Sequence, residues 1–410
     1  MADKRVVVNG PVNTVRMEGN VAGKKKVFYS MFDYHVNKKK CADIHAVDVD
    51  TFLLEEFEKL SKIRPDMKFD LMVEIGLIRP YYHDLYEDSY IRRIGRLFWK
   101  TFEIDKENNK VIDSKEIPNV RLHHTDVRDI MASVYMKYDI DVPMFPIHIP
   151  FLEETYRKIY ALRRERVDTY YSLYHTKAAF NPLVEKSIYS LDPQKYDSEH
   201  FDQMKKVDVD KQIRKMIYKL RHKYENESVK KKINLIIDTD LKAMLEGFIN
   251  DLDNILIELS ADIDHAKRLK DPDHLILLQR ADGSYDYGYD TLEITQMSIR
   301  TGKYLEKIGD EITIGLMFMD LYKLRRFLDK DYITNAISYA GGHHSSNYVR
   351  LLVKYFDFKI TNYSYMAVSI MDEAHQIIKE SRNEEELFCL LFPRIFSQCS
   401  DLSSFPELFM

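Results

Sequence analysis

Cysteine is scarce in this chain. Three occur in 410 residues, at Cys41, Cys389 and Cys399, far apart or without metal-ligand spacing. That usage fits a reducing compartment and argues against a disulfide framework or a cysteine-based metal finger. Glycine (13) and proline (12) are also few, while Tyr, Phe, Met and Lys are plentiful, a balance that suits a helix-rich fold. No run approaches the roughly 20 apolar residues that span a bilayer. Residues 1–10 hold no apolar segment long enough for a secretory signal. Positive charge has no surplus, since the net charge is −5, so nothing points to nucleic acid. The lysine runs at 24–26, 38–40 and 230–232 read as solvated loop or helix-end charge. No P-loop or G-x-G-x-x-G follows a strand, and no G-x-S-x-G surrounds Ser345. These absences describe a cytosolic chain, or one packaged from a cytosol, without a membrane partner.

Apolar residues make up 45 % of the sequence, enough for a sizeable core. Residues 1–25 are polar and mixed and read as a loose N-terminal arm with a short strand near Arg5–Val8. Residues 26–150 and 290–380 read as two halves of one α/β domain. Between them, 151–289 has helical periodicity, clearest in Leu241, Leu245, Phe248, Leu252, Leu256 and Leu259, and reads as a large helical insertion. Within it, 280–289 reads as a turn or flexible loop. Residues 381–410 form an apolar tail able to dock on the domain or on a partner. Helices are expected near 50–62, 90–102, 128–138, 311–328 and 365–380. The expected fold is α/β, with a mainly parallel central sheet flanked by helices.

Four stretches share one grammar. An apolar, β-prone run ends in acidic, imidazole or guanidinium groups. Residues 27–32 run into Asp33 and His35, 69–73 into Glu74, and 120–122 into His123, His124, Asp126 and Arg128. Residues 336–340 run through Gly341 and Gly342 into His343 and His344. Parallel strands joined by right-handed crossovers would bring all four ends to one edge of one sheet, where open α/β sheets bind ligands. His35, Glu74 and His344 are the candidate catalytic residues. His35 would be the general base on a water, since imidazole has a pKa near neutrality without large perturbation. Asp33 could orient His35, ligate a metal or cap the turn. Asp33, His35, Glu74 and His344 together form an acceptable shell for a divalent metal ion, the one cofactor that this residue set suggests. Arg128, His124 and His343 are candidate substrate-binding residues. The bland alternatives are core histidines, and for Glu74 a salt bridge with Arg79 or Arg128. Of the adjacent pair, His344 is expected to face the cleft, with Gly342 leaving room for a ligand. As a polar residue outside the core, His344 should be removable at about 1 kcal/mol.

A strand ending in G-E-x-H, a second ending in Glu and a late G-x-x-H turn recur in one superfamily. It contains the erythromycin esterases, the ChaN-like haem-binding proteins and the TIKI metalloproteases. This chain resembles it over roughly residues 26–135 and 310–362. Asp33-Tyr34-His35 takes the place of G-E-x-H, with Phe32 for its glycine and Asp33 for its glutamate. Glu74 takes the strand-end glutamate, and Gly341 to His344 the late turn. The segment 319–322 with Arg325 resembles uncharacterised proteins of large DNA viruses. The resemblance implies a hydrolase acting on an ester or amide of a small molecule or peptide, through His-activated or metal-activated water. The two departures leave open a degenerate structural or interaction protein, for example of a virion. Its protein partner would be met through the insertion or the tail, and its place would be the host cytoplasm or the virion.

Overall fold

The computed structural model describes residues 5–38, 41–74, 88–105, 110–124, 149–174, 209–268, 277–279, 285–287, 300, 303–304, 311–381, 384–393 and 397–409. In chain order the elements begin with β1 (Val7–Asn9), β2 (Asn13–Val21), β3 (Lys24–Asp33), β4 (Val47–Asp48), α1 (Val49–Ile63) and β5 (Phe69–Val73). There follow α2 (Tyr90–Thr101), β6 (Glu103–Asp105), β7 (Lys110–Ile112) and β8 (Val120–His124). The middle of the chain holds α3 (Ile149–Tyr174), α4 (Val209–His222), α5 (Glu227–Ile236), a π-helical turn (Ile237–Leu241), α6 (Lys242–Arg268), β9 (Leu277–Gln279) and β10 (Tyr285–Tyr287). Last come α7 (Glu311–Asp329), β11 (Asn335–Gly341), α8 (Gly342–Phe356), β12 (Lys359–Tyr363), α9 (Met371–Glu380), α10 (Glu384–Leu391) and β13 (Cys399–Asp401).

The chain divides into two compact units. One comprises Met1–Asp129, Lys219–Ile236 and Leu316–Met410; the other comprises Ile130–Tyr218 and Ile237–Gly315. The first is built on a six-stranded sheet in the order β12-β2-β3-β11-β5-β8. From β3 to β8 the neighbours are parallel, whereas β2 is antiparallel to both β3 and β12. The fold is therefore mixed α/β, with the four apolar strands that end in polar groups lying side by side.

Side-chain alternation assigns each face of this sheet a cover. Tyr29 and Met31 of β3, with Leu71 and Val73 of β5, join Leu53 and Phe57 of α1 and Ile94 and Phe98 of α2 in one buried cluster. On the other face Phe28 meets Phe327 of α7 and Tyr348 of α8, at ring separations of 5.3 and 5.7 Å.

Residues 13–21, read from sequence as part of a loose arm, form a full strand. Val15 and Met17 alternate with Thr14 and Arg16, and all four are buried. The β2–β3 hairpin closes through Ala22 and Gly23, both at positive φ (51° and 80°), the two-residue turn that matches strand twist. The expected 365–380 helix starts only at Met371. Within 280–289, expected as a turn or flexible loop, Tyr285–Tyr287 instead form β10, antiparallel to β9. The helix expected over 128–138 lies outside the described residues. The C-terminal segment docks on its own unit: Phe409 sits 5.3 Å from the Tyr29 ring, and its carbonyl accepts from Asn335 Nδ2 at 2.9 Å.

The cysteine reading is overturned. Cys41 and Cys399 are disulfide-bonded, with Cα atoms 5.4 Å apart across a sequence separation of 358. Sheet pairing makes the encounter. Cys399 of β13 pairs with Asn9 of β1, and the Asn9 side chain accepts from the Cys41 N–H at 2.7 Å. Linear spacing carries no trace of such a contact.

The second unit is mainly helical. The apolar stripe of the π-turn and α6 is buried from Leu241 to Leu259. A buried Arg163–Asp253 ion pair joins α3 to α6, and Tyr170 OH donates to Glu246 at 2.6 Å.

One buried cation fixes α7 to the sheet. Lys26 is wholly buried, and its Nζ donates to the carbonyls of Phe327, Lys330 and Ile333 at 2.9, 2.8 and 2.6 Å, satisfying the C-terminal end of α7 and the turn beyond it. Lys26→Met removes all three bonds without removing the apolar stem. It is expected to cost roughly 2–4 kcal/mol, measured as a lower urea midpoint at unchanged slope.

Candidate functional site

Asp33 is the last residue of β3 and is 1 % exposed. Its Oδ2 accepts from the His35 backbone N–H at 2.9 Å and lies 2.7 Å from His35 Nδ1. This short loop holds His35 at φ 50°, a left-handed conformation rare outside glycine. On its other side Asp33 Oδ1 accepts from the Tyr339 hydroxyl of β11 at 2.8 Å. Burial first, and then Asp33, push the Tyr339 phenol well above its usual range, so it stays a donor.

Glu74 directly follows β5, and its N–H donates to the Tyr339 carbonyl at 3.2 Å. Its Oε2 accepts from the Gly341 N–H at 2.7 Å, where β11 turns into the N-terminus of α8, a place that favours negative charge. The same oxygen lies 3.2 Å from His35 Nε2, and Oε1 lies 3.4 Å from His344 Nε2. His344 Nδ1 is 2.6 Å from Oδ1 of Asp320 on α7, and Asp320 Oδ2 accepts from Asn347 Nδ2 at 2.7 Å. Five side chains thus form one row: Asp33, His35, Glu74, His344, Asp320. Carboxylate and imidazole alternate along it.

The row sets its own protonation. For Glu74, burial opposes the charged form, but the imidazoles of His344 and His35 outweigh it and hold the carboxyl well below its usual range. Burial likewise opposes charge on His35, yet Glu74 and Asp33 raise it well above 6.5. His344 is raised to about 9, with Asp320 and Glu74 overcoming burial. Both imidazoles therefore rest protonated at neutral pH, contrary to the unperturbed base expected for His35. Only His35 reaches solvent: its side chain is 41 % exposed, against 3 % for Glu74 and 2 % for His344.

Asp33, His35, Glu74 and His344 are brought together. The remaining candidates are not all in this row. His343 is exposed, its ring 5.9 Å from Phe388. The His124 side chain, Asp126 and Arg128 lie outside the described residues. His123, on the same strand, lies 3.0 Å from Asp70 Oδ1, which also pairs with Arg121. Three members of the site were missed from sequence: Asp320, Asn347 and Tyr339. Asp320 had a signal, being a lone carboxylate inside the apolar stripe of α7 and fully buried.

The two glycines work by close approach, since neither is among the residues with positive φ. A Cβ on Gly341 would sit 2.7 Å from His35 Nε2 and 3.2 Å from Glu74 Oε2. A Cβ on Gly342 would meet the Phe392 ring at 2.0 Å, so the space expected there for a ligand is filled by the chain's own C-terminal region. As for a cation, every nitrogen of the two imidazoles faces a carboxylate oxygen. Among the described residues no group of three or more His, Cys, Asp or Glu has the arrangement of a metal site. The donor set fits shared protons better than an ion.

The sequence matches a family of unknown function over residues 6–410. The chain belongs to that family, DUF5847. Two similar proteins come from Acanthamoeba polyphaga mimivirus. Uncharacterized protein R706 is 31 % identical over 98 % of this chain and 97 % of its own length. Uncharacterized protein R161 is 30 % identical over 99 % of each. The giant-virus setting suggested by the 319–322 segment is found among the relatives of this chain. No solved structure matches. No helix among the described residues is long and apolar enough to cross a membrane.

His344 is not the dispensable polar residue expected from sequence. Its removal takes away the imidazole that the buried carboxylates of Asp320 and Glu74 both face, so His344→Ala is expected to cost roughly 3–5 kcal/mol. The pH dependence has a definite sign. A histidine whose pKa is 6.5 unfolded and about 9 folded contributes stability that is complete below pH about 6.5 and is lost as pH rises through about 9. Glu74, depressed on folding, acts in the opposite sense: its contribution is present above about 4.5 and is lost as pH falls toward its folded pKa. Denaturant midpoints of the wild type should therefore fall between pH about 6.5 and about 9. His344→Gln should make that limb shallower; an unchanged limb would refute the assignment.

Proposed function

We propose that this chain is a hydrolase-like protein in which His35 exchanges a proton with a water that attacks an ester or amide. The observation that carries the reading is the buried acid–imidazole row with a single solvent-facing member. Nε2, 3.2 Å from Glu74, is the nitrogen less closely held than Nδ1, 2.7 Å from Asp33, and is the one to turn to a water. Water oxygen bonds to the carbonyl carbon as Nε2 takes its proton; the imidazolium then returns a proton to the leaving oxygen or nitrogen. Asp33 fixes the ring from behind, and Tyr339 fixes Asp33.

The resemblance to the erythromycin esterase, ChaN and TIKI superfamily supports the same residues. Its two departures have physical accounts. Phe32 packs edge-on against Phe392 at 5.4 Å, and the shorter Asp33 still reaches His35 because the loop turns through positive φ. Facing carboxylates favour water activation by His35 over a bound divalent metal.

A second reading also draws on an observation. Every ring nitrogen already faces a partner, so the row can serve purely to bind β3, β5, α7 and α8 together in a structural or interaction protein, for example one packaged in a virion.

The two readings part in one assay, hydrolysis of nitrophenyl ester and fluorogenic peptide panels across pH. Because Glu74 holds the proton on His35, activity should rise toward alkaline pH. His35→Ala should lower turnover at least about 100-fold. Glu74→Gln should move the rising limb to lower pH, because a neutral amide no longer favours the imidazolium. Hydrolysis no greater than that of His35→Ala over the whole panel would leave the structural reading.

A further inference from the structure

We propose that the Cys41–Cys399 disulfide is a thiol-exchange site, entered by a small thiol through a surface pocket that opens onto Cys41. This inference does not rest on the hydrolytic reading. The pocket has a volume of about 520 Å³ and is lined by Cys41 together with Asn9, Asp43, Ile44, Ala46 and Thr51 among others. That is the size range of small-molecule sites. Cys41 lines it and Cys399 does not, so the pocket offers an approach to the bond from the Cys41 side. Both carboxylates that line it are paired, Asp43 with Arg5 at 2.9 Å and Asp48 with Arg93 at 2.5 Å, so neither is left bare to repel a thiolate.

Exchange needs attack on the presented sulfur. The incoming thiolate bonds to Cys41 Sγ, the Cys41–Cys399 bond breaks, and Cys399 departs as a thiolate that takes a proton from solvent. A second equivalent of the same thiol attacks the incoming sulfur of the mixed disulfide. It releases Cys41 as a thiol and leaves the small thiol as its own disulfide. Two thiols are oxidised and one protein disulfide is reduced.

The surroundings make the bond separable from the fold. β13 remains paired with β1 over Val7–Asn9, and the Asn9 side chain still bonds Cys41 N–H, Ala46 O and Asp48 Oδ1. What is lost is the covalent tie between the C-terminal strand and the segment that leaves the sheet at Asp33 and carries His35. Reduction thus loosens the loop holding the solvent-facing imidazole while the six-stranded sheet stays paired.

The test uses the full chain in a Cys389→Ser background, which removes the exposed free thiol. Native protein is incubated with reduced glutathione, quenched with N-ethylmaleimide and mapped by mass spectrometry. Glutathione is expected on Cys41 and maleimide on Cys399. Thr51→Trp, at an exposed position on the pocket wall, should slow the native reaction about tenfold or more and leave the rate in concentrated guanidinium unchanged; Ala46→Phe provides a second obstruction if the first variant folds poorly. Hydrogen exchange after reduction should rise in residues 34–48 and not in β3, β5 or β11. Glutathione on Cys399, native exchange no faster than global unfolding, or equal rates in both obstructed variants would overturn the proposal.

Discussion

Glu74 is a buried carboxylate that touches two imidazoles and a backbone amide. A buried carboxylate is tolerated only when its charge is matched and its lone pairs are bonded, so these partners must all be present at once. The requirement ties five elements to one point. β5 must end where it does, β11 must turn into α8 beside it, β3 must release His35 toward it, and α7 must bring Asp320 to the back of His344. The Gly341 position shows how tight the closure is, because even a methyl group there would contact the His35 ring.

The rest of the first unit can be seen as support for that point. One face of the sheet is anchored by the aromatic cluster of α1, α2 and the C-terminal segment, the other by α7 and α8. Lys26 locks the far end of α7 to β3, which keeps Asp320 in register with His344. Asp329 adds a second lock, accepting from the N–H groups of Glu225 and Asn226 at 2.9 Å just before α5. The family match runs through both compact units, and the mimivirus relatives align over nearly their whole length.

Much of the site was legible because its members end apolar runs of strand length. Asp33, Glu74 and the 341–344 turn could be placed on one sheet edge from pattern alone, given parallel strands. What was not legible depends on distances across the fold. Asp320 sits in a helix whose apolar stripe hides it, and only the packing of α7 against α8 turns it toward His344. Tyr339 reads as one more apolar strand residue until its hydroxyl is seen against Asp33. The order of His343 and His344 around the first turn of α8 decided which was buried, and the tight contacts of His344 decided that its loss is costly. The raised pKa of His35 follows from two carboxylates that are 39 and 2 residues away in sequence. β2 did carry a two-residue alternation, diluted by Gly19 and Asn20. The disulfide carried no local signal at all, since its halves meet only through β1.

The strand order has a further consequence for the making of the protein. β11 lies between β3 and β5 and pairs with both. Both of those strands leave the ribosome long before it, since 267 residues separate Glu74 from Gly341. At translation rates of roughly 5–20 residues per second, the two inner edges wait on the order of 15–50 s for the strand that fills the gap. During that interval Phe69, Leu71, Tyr29 and Met31 belong to unpaired edges, the kind of surface that chaperones hold and that aggregates otherwise. The β2–β3 and β5–β8 pairs can form earlier, but the gap between them closes only once the C-terminal third is made, and the supply of holding factors in the translating cell bears directly on yield.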